Sequence, residues 1–249
     1  MRLVGVGMVH NEAALIEAFV RHNLTVLDAL TVIDHSSQDG TTDILAALQD
    51  EGLPLRRVAD VGHGSLGDEQ ITRAAREALA REHADFVLPL DAEDFLKAPS
   101  RGRLVQALAL VPPDEHAAID RLSYVPELRD SASSTLRPAD LRRRLKDPQR
   151  ASFTAVIGRA FLEQGQQSYG RRMVIAAAGA EPPRYVRLPR EVVALAHRLP
   201  RDEWDPAQAG ELVDDPVSLN LRLRYVGTDP RGQQTVPTIF PDALPRRSR

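Results

Sequence analysis

Three carboxylates, Asp91, Glu93 and Asp94, follow directly on the apolar run Phe86 to Leu90. A continuous apolar run of that length has the character of a strand buried on both faces of a sheet. Like charges crowded at the end of such a strand repel one another and resist ionisation, and a bound cation removes that cost. Asp91 and Glu93 are two apart, so on an extended backbone they project to the same side and can grip one hard metal ion. The other reading of the same acids is the solvated first turn of a helix, where carboxylates favour the positive end of the helix dipole.

The elements needed to position these acids alternate along the first half of the chain. Leu3 to Val9 reads as a strand, and Glu12 to Asn23 as a helix with Leu15, Ile16, Phe19 and Val20 on its apolar side. Ala29 to Ile33 is a second strand ending at Asp34. The turn residues Ser36 to Gly40 lead into a helix from Thr41 to Gln49. Leu55 to Val58 is a third strand, Gly62 to Gly67 a glycine-rich loop, Asp68 to His83 a helix, and Phe86 to Leu90 the fourth strand. Such alternation predicts an α/β fold with a doubly wound, mainly parallel sheet and helices on both faces. Ligands of such sheets collect beyond the carboxyl ends of the strands. Three polar clusters lie at those ends: His10-Asn11-Glu12, Asp34 to Asp39, and Asp91 to Asp94.

The second half is less regular. A helix is expected over Ser100 to Leu110 and strands over His116 to Val125 and Phe153 to Gly158, with weaker strands over Met173 to Ala178 and Glu191 to Ala196. The stretch 241–249, rich in arginine and proline, is expected to be a disordered tail.

Composition removes several classes. A formal charge of −3 gives no basic bias toward nucleic acid. Without cysteine there is no disulfide framework and no thiolate ligand or nucleophile. No run approaches the roughly 18 apolar residues of a membrane span, so a cytoplasmic protein with no stable membrane insertion is expected. Lysine occurs only at positions 97 and 146, so arginine supplies 30 of the 32 basic residues. That is a bias of composition and carries no functional reading by itself.

Asn11-Glu12 after the first strand, Asp34-His-Ser-Ser-Gln-Asp-Gly-Thr41 after the second and Asp91-Ala-Glu-Asp-Phe-Leu96 after the fourth resemble family 2 glycosyltransferases of the GT-A fold. More narrowly they are similar to the subgroup with an N-E start, a D-x-x-S-x-D-G-T turn and a D-A-D-E-F-L motif. The resemblance covers residues 3–97, with a looser echo at Ala196-His197-Arg198-Leu199-Pro200. It implies a metal-dependent, inverting transfer of sugar from a nucleoside-diphosphate sugar, a UDP-sugar being favoured. The acceptor would be a glycan, a lipid-linked sugar or a small molecule. Residues 1–97 would form the nucleotide-sugar-binding half of one domain and residues 98–240 its acceptor-side half.

The resemblance also assigns roles. Asp91 and Glu93 correspond to the D-x-D pair that holds Mg²⁺ or Mn²⁺, although Glu93 and Asp94 exchange the usual order of aspartate and glutamate. Such an ion neutralises charge building on the leaving nucleoside diphosphate. His197 would complete the metal shell. Asp34 would accept from the nucleotide base, with Ser37 beside it. His10 would lie near the base, and Asn11 and Glu12 would orient the loop. Bland readings stand beside these: an Asx-turn for Asp34, capping for Ser37, Asn11 and Glu12, a core histidine for His197. The proton-accepting carboxylate an inverting enzyme needs is assigned to Asp94, with Glu181, Asp202 and Glu203 as alternatives. A catalytically silent nucleotide-sugar-binding or scaffold protein on the same fold is the competing reading.

Overall fold

The structure, a computed structural model, describes residues 1–59, 67–125, 141–146, 152–163, 165–169, 172–176, 179–199, 211–215, 227–228 and 234–235. The expected glycine-rich loop as far as Leu66, together with Asp202, Glu203 and the tail 241–249, lies outside the described residues. The elements run β1 (Leu3–Val9), α1 (Ile16–Asn23), β2 (Ala29–Asp34), α2 (Thr41–Asp50), β3 (Leu55–Ala59), α3 (Gly67–Ala80) and β4 (Phe86–Asp91). There follow β5 (Asp94–Lys97), α4 (Arg101–Leu108), β6 (His116–Tyr124), β7 (Arg143–Leu145), β8 (Ser152–Gly158), α5 (Ala160–Glu163) and the hairpin of β9 (Gln167–Tyr169) and β10 (Met173–Ile175). Three short strands follow, β11 (Tyr185–Arg187), β12 (Ala194–Arg198) and β13 (Leu212–Asp214).

The main sheet has the order β13-β7-β6-β8-β4-β1-β2-β3. Strands β4, β1, β2 and β3 are mutually parallel, and β8 is inserted antiparallel between β4 and β6. This is the α/β, mainly parallel sheet that the alternation predicts. Its faces follow the period-two rule of strands. Leu3 and Val9 of β1, Leu30 and Val32 of β2, and Leu88 and Leu90 of β4 turn to one side. There they join Ile16 and Phe19 of α1, Leu45 of α2 and Leu104 of α4 in one core. Val4 and Val6, Ile33 and Val87 turn the other way, onto Ile71 and Ala75 of α3 and Phe161 of α5. Helices therefore cover both faces. Each fully buried Leu, Ile or Phe contributes roughly 1.5–3 kcal/mol, so these two layers carry the fold.

One expected boundary and one alternative reading need correction. Helix α1 begins at Ile16, not Glu12, because residues 12–15 form a turn in which Glu12 O accepts from Leu15 N–H and Ile16 N–H. Asp94 does not open a helix. It starts the strand β5, which pairs antiparallel with β12, and β12 in turn runs parallel to β6. A four-residue strand with no turn signal before it leaves little trace in the sequence.

Candidate functional site

Strand β1 lies between β2 and β4, with Val9 opposite Asp34 and Met8 opposite Asp91. The chain leaves β1 in one direction, through β2 to β3, and returns to its other side as β4. The carboxyl end of β1 is therefore a topological switch point, where adjacent loops diverge and leave a crevice. Asp34 and Asp91 stand two strand spacings apart across it, about 10 Å. The structure thus brings the three polar clusters to one edge.

The first two clusters are stitched into one surface. Asn11 N–H donates to Ser37 Oγ (2.9 Å) and Gln38 N–H to Asn11 Oδ1 (2.8 Å). Glu12 N–H donates to Thr41 Oγ1 (2.8 Å) and Ala13 N–H to Asp39 Oδ2 (2.9 Å). His10 Nδ1 donates to the His35 carbonyl at 2.6 Å, and the two exposed imidazoles meet edge to face, 5.8 Å between centroids. Asn11 and Ser36 hold left-handed backbone at φ 56° and 55°, a conformation uncommon outside glycine. The bonds through Asn11 Oδ1 and Ser37 Oγ keep these loops in that conformation. Ser37 is thus a loop clamp in this structure.

Asp34 is 6 % exposed. Its Oδ1 accepts from Ser37 N–H (3.1 Å) and its Oδ2 from Thr42 Oγ1–H (2.5 Å), which builds the Asx-type turn. Burial alone would raise its pKa, but the bonds from Ser37 and Thr42 and the charge of Arg57 hold it below the ordinary carboxylate value. A carboxylate offers about four acceptor positions, so these bonds do not exhaust it.

Beyond Asp91, a two-residue turn leads into Asp94, and here the structure departs from expectation. Asp94 is 2 % exposed. Its Oδ2 accepts from Asp91 N–H (2.9 Å), and its Oδ1 faces both His197 Nδ1 (2.9 Å) and Arg121 (Nε 3.3 Å, Nη2 3.2 Å). Burial pushes its pKa up, but the bond from His197 and the charge of Arg121 outweigh that and hold it low. The structure thus sets Asp94, the expected proton acceptor, against Arg121 and His197.

Arg121, on β6 and only 4 % exposed, has no role in the sequence reading. Its Nη2 lies 3.0 Å from Asp91 Oδ2 and 2.8 Å from His197 Nδ1. A signal for it exists: a guanidinium inside a run expected to be a buried strand must find charged partners.

His197 stands opposite Asp94 in the β5–β12 register. Its Nδ1 is caught between carboxylate and guanidinium. Either Nδ1–H donates to Asp94 or the bare nitrogen accepts from Arg121. Among the described residues, no three His, Asp or Glu side chains are spaced to hold a metal ion. Of the expected trio Asp91, Glu93 and His197, the Arg121 guanidinium lies between Asp91 Oδ2 and His197 Nδ1.

Glu93 and Glu12 are half-buried. Burial first, then neighbouring acids, push Glu12 up to about 7; those acids are Glu93, Asp39 and Asp91, with Arg198 opposing them. Burial also raises Glu93, with Asp91 and Asp94 adding to the effect and a backbone bond and His197 working against it. A carboxyl poised near neutrality is chemically competent to exchange protons at ordinary pH. Glu181 lies exposed. On α3, Gln70 is buried and Arg73 exposed.

No protein-family model matches the chain, and no curated protein does. Among solved structures it is similar to a mannosyltransferase from Pyrobaculum calidifontis in complex with GDP-Man and Mn²⁺. Identity is 22 % and the TM-score 0.45, over 80 % of this chain and 57 % of that one. It is also similar to a putative glucose-1-phosphate thymidylyltransferase from Bacillus anthracis in complex with a sucrose, at 10 % identity and TM-score 0.39, over 75 % of this chain and 87 % of that one. This chain thus spans less than two thirds of the mannosyltransferase. At these scores neither likeness establishes a shared site.

Proposed function

We propose that the protein is a glycosyltransferase on a GT-A-like sheet, taking sugar from a nucleoside-diphosphate donor. One observation carries this reading: the three polar clusters meet at the switch point where β1 separates β2 from β4. The base would lie toward Asp34 and Ser37, beside the His10 ring, with Asn11 holding the loop. The diphosphate would lie toward Asp91 and Glu93. The acceptor oxygen attacks the anomeric carbon as the bond to the diphosphate breaks, with inversion. Its proton passes to a carboxyl of this edge, and Glu12, poised near neutrality, suits that task. The acceptor is a glycan, lipid-linked or small-molecule hydroxyl. No helix among the described residues is long and apolar enough to cross a membrane.

Thermal unfolding with UDP, GDP and other nucleoside diphosphates at millimolar concentration tests the reading. Ligand at 100 times its Kd stabilises by about 2.7 kcal/mol, a readily measured rise in Tm. No shift with any of them overturns the donor site. A shift without diphosphate release from any donor sugar, with or without acceptors, points instead to a silent binding protein. The enclosure of His197 and Asp94 by Arg121 is the observation that favours that second outcome.

A further inference from the structure

We infer that this edge manages its anionic ligand with protein cations instead of a divalent metal: Arg121 occupies the cation position within the acid motif, and Arg198 is the guanidinium offered to a phosphate. The inference rests on the donor-site reading above for the location of the ligand and goes beyond it in the means of binding.

The first half of the argument is geometric. A metal bridging Asp91 Oδ2 and His197 Nδ1 would need the space between those two atoms. Arg121 Nη2 lies within 3.0 Å of the first and 2.8 Å of the second, and also touches Asp94 Oδ1. The guanidinium is anchored by two carboxylates inside β6 and almost fully buried, and Asp94 is itself fixed by the Asp91 backbone. Arginine is the residue suited to such a place, since it stays charged and meets carboxylates with a rigid fork of donors. A divalent ion between Asp91 Oδ2 and His197 Nδ1 would have to displace this paired guanidinium.

The second half concerns the residue that follows His197 on β12. Arg198 is pinned by its backbone, its N–H donating to Glu93 O at 3.0 Å, and Leu199 N–H donates to Tyr124 O at 2.9 Å. These bonds fix the strand end beside the acid turn. The Arg198 side chain is half-buried, and the residue follows His197 at the end of β12, beside the acid turn. Its Nε is buried and finds no hydrogen-bond acceptor among the described residues. A buried guanidinium N–H without an acceptor is a costly arrangement, and a phosphate oxygen is the acceptor whose geometry it matches. Arg121 and Arg198 thus divide the work of one metal ion: the first offsets the acids, the second faces the ligand.

Three measurements on the 249-residue chain decide the matter. Mn²⁺ alone is titrated and followed by electron paramagnetic resonance; no stoichiometric site below 1 mM is expected. Inorganic pyrophosphate and GDP are titrated by calorimetry in EDTA; both are expected to bind, and at least about tenfold more weakly to Arg198→Gln, with partial recovery in Arg198→Lys. Circular dichroism confirms that the variants fold. Stoichiometric Mn²⁺ binding that disappears in Asp91→Asn overturns the inference, as does GDP binding that requires Mn²⁺, or pyrophosphate that fails to bind or binds Arg198→Gln as well as the parent. Pyrophosphate bound in EDTA while no nucleoside diphosphate binds sinks the donor reading and leaves the inference standing.

Discussion

Asn23 holds Asp94 by the backbone: its Nδ2 donates to Asp94 O at 2.9 Å, while its Oδ1 accepts from Leu96 N–H at 2.9 Å. Both ends of one amide are engaged by β5, and the side chain is fully buried. The beginning of the acid strand is thereby fixed by the last residue of α1.

Replacing Asn23 by Ala leaves one carbonyl and one N–H of β5 buried without their partner. Each such group costs about 1–3 kcal/mol, so a loss of roughly 2–5 kcal/mol in urea unfolding is expected. Asn23→Asp keeps an acceptor for Leu96 N–H but sets a buried carboxylate against Asp94 O, and should cost at least as much as Asn23→Ala. A loss below 1 kcal/mol for Asn23→Ala would show that β5 is held by other means.

Arg121→Met strands Asp91 and Asp94 without their buried countercharge, a loss of about 3–5 kcal/mol. Asp94→Asn alone strands Arg121 less severely, because Asp91 remains. In a double-mutant cycle, Arg121→Met with Asp94→Asn should destabilise by at least 1 kcal/mol less than the sum of the singles. Additive losses would show that the two side chains do not act on each other.

The pH dependence contains two opposed contributions. Burial pushes His22 down from 6.5 to about 4, against the pull of its bond to Leu96 O. On unfolding it regains its proton, so its stabilisation, complete above pH 6.5, is lost as pH falls toward 4, by about 3 kcal/mol in all. Glu12 is displaced from 4.5 to about 7. The unfolded chain binds fewer protons at that group, so stability present below pH 4.5 is lost as pH rises through 7. The two slopes oppose each other between pH 4.5 and 6.5. Glu12→Gln should unmask stability rising with pH in that interval, and His22→Gln stability falling with it. Urea midpoints at four pH values test this, and parallel curves for all three proteins would refute it.

Gly5 lies under the helix-facing core. A Cβ there would come within 2.6 Å of Leu30 Cδ1 and 2.7 Å of Leu27 Cδ1. Both are ends of flexible side chains, so Gly5→Ala should fold with a loss of about 1–3 kcal/mol, the usual cost of overpacking. Gly40→Ala meets no neighbour, but its φ of 94° strains any L side chain, so a loss is expected there for a different reason. A thermal melt of each variant is sufficient.

The first four strands were legible because each is an apolar run bounded by turn chemistry. The two faces followed from their alternation. The meeting of polar clusters at one edge was legible for the same reason, since strand direction places every β-to-α loop on that side. What escaped was pairing between distant segments. Nothing local in Asp94-Phe95-Leu96-Lys97 says that it will lie against Ala194 to Arg198, so Asp94 read as a proton acceptor and His197 as a metal ligand or a core histidine. Arg121 escaped because a strand's apolar average hides a single charge. Asn23 escaped because a polar residue at the end of a helix has an adequate explanation in solvent.

Asp94 and His197 are 103 positions apart in the chain. The sheet of β1 to β4 is complete within the first 91 residues, but its acid terminus meets His197 only after β6 and β12 have been made and laid beside it. Contacts of such long separation pay for loop closure before they gain anything, and they form slowly. In a nascent chain the partners of Asp94 on β6 and β12 are made only after the first four strands. The order of synthesis itself keeps the binding edge unfinished until the end.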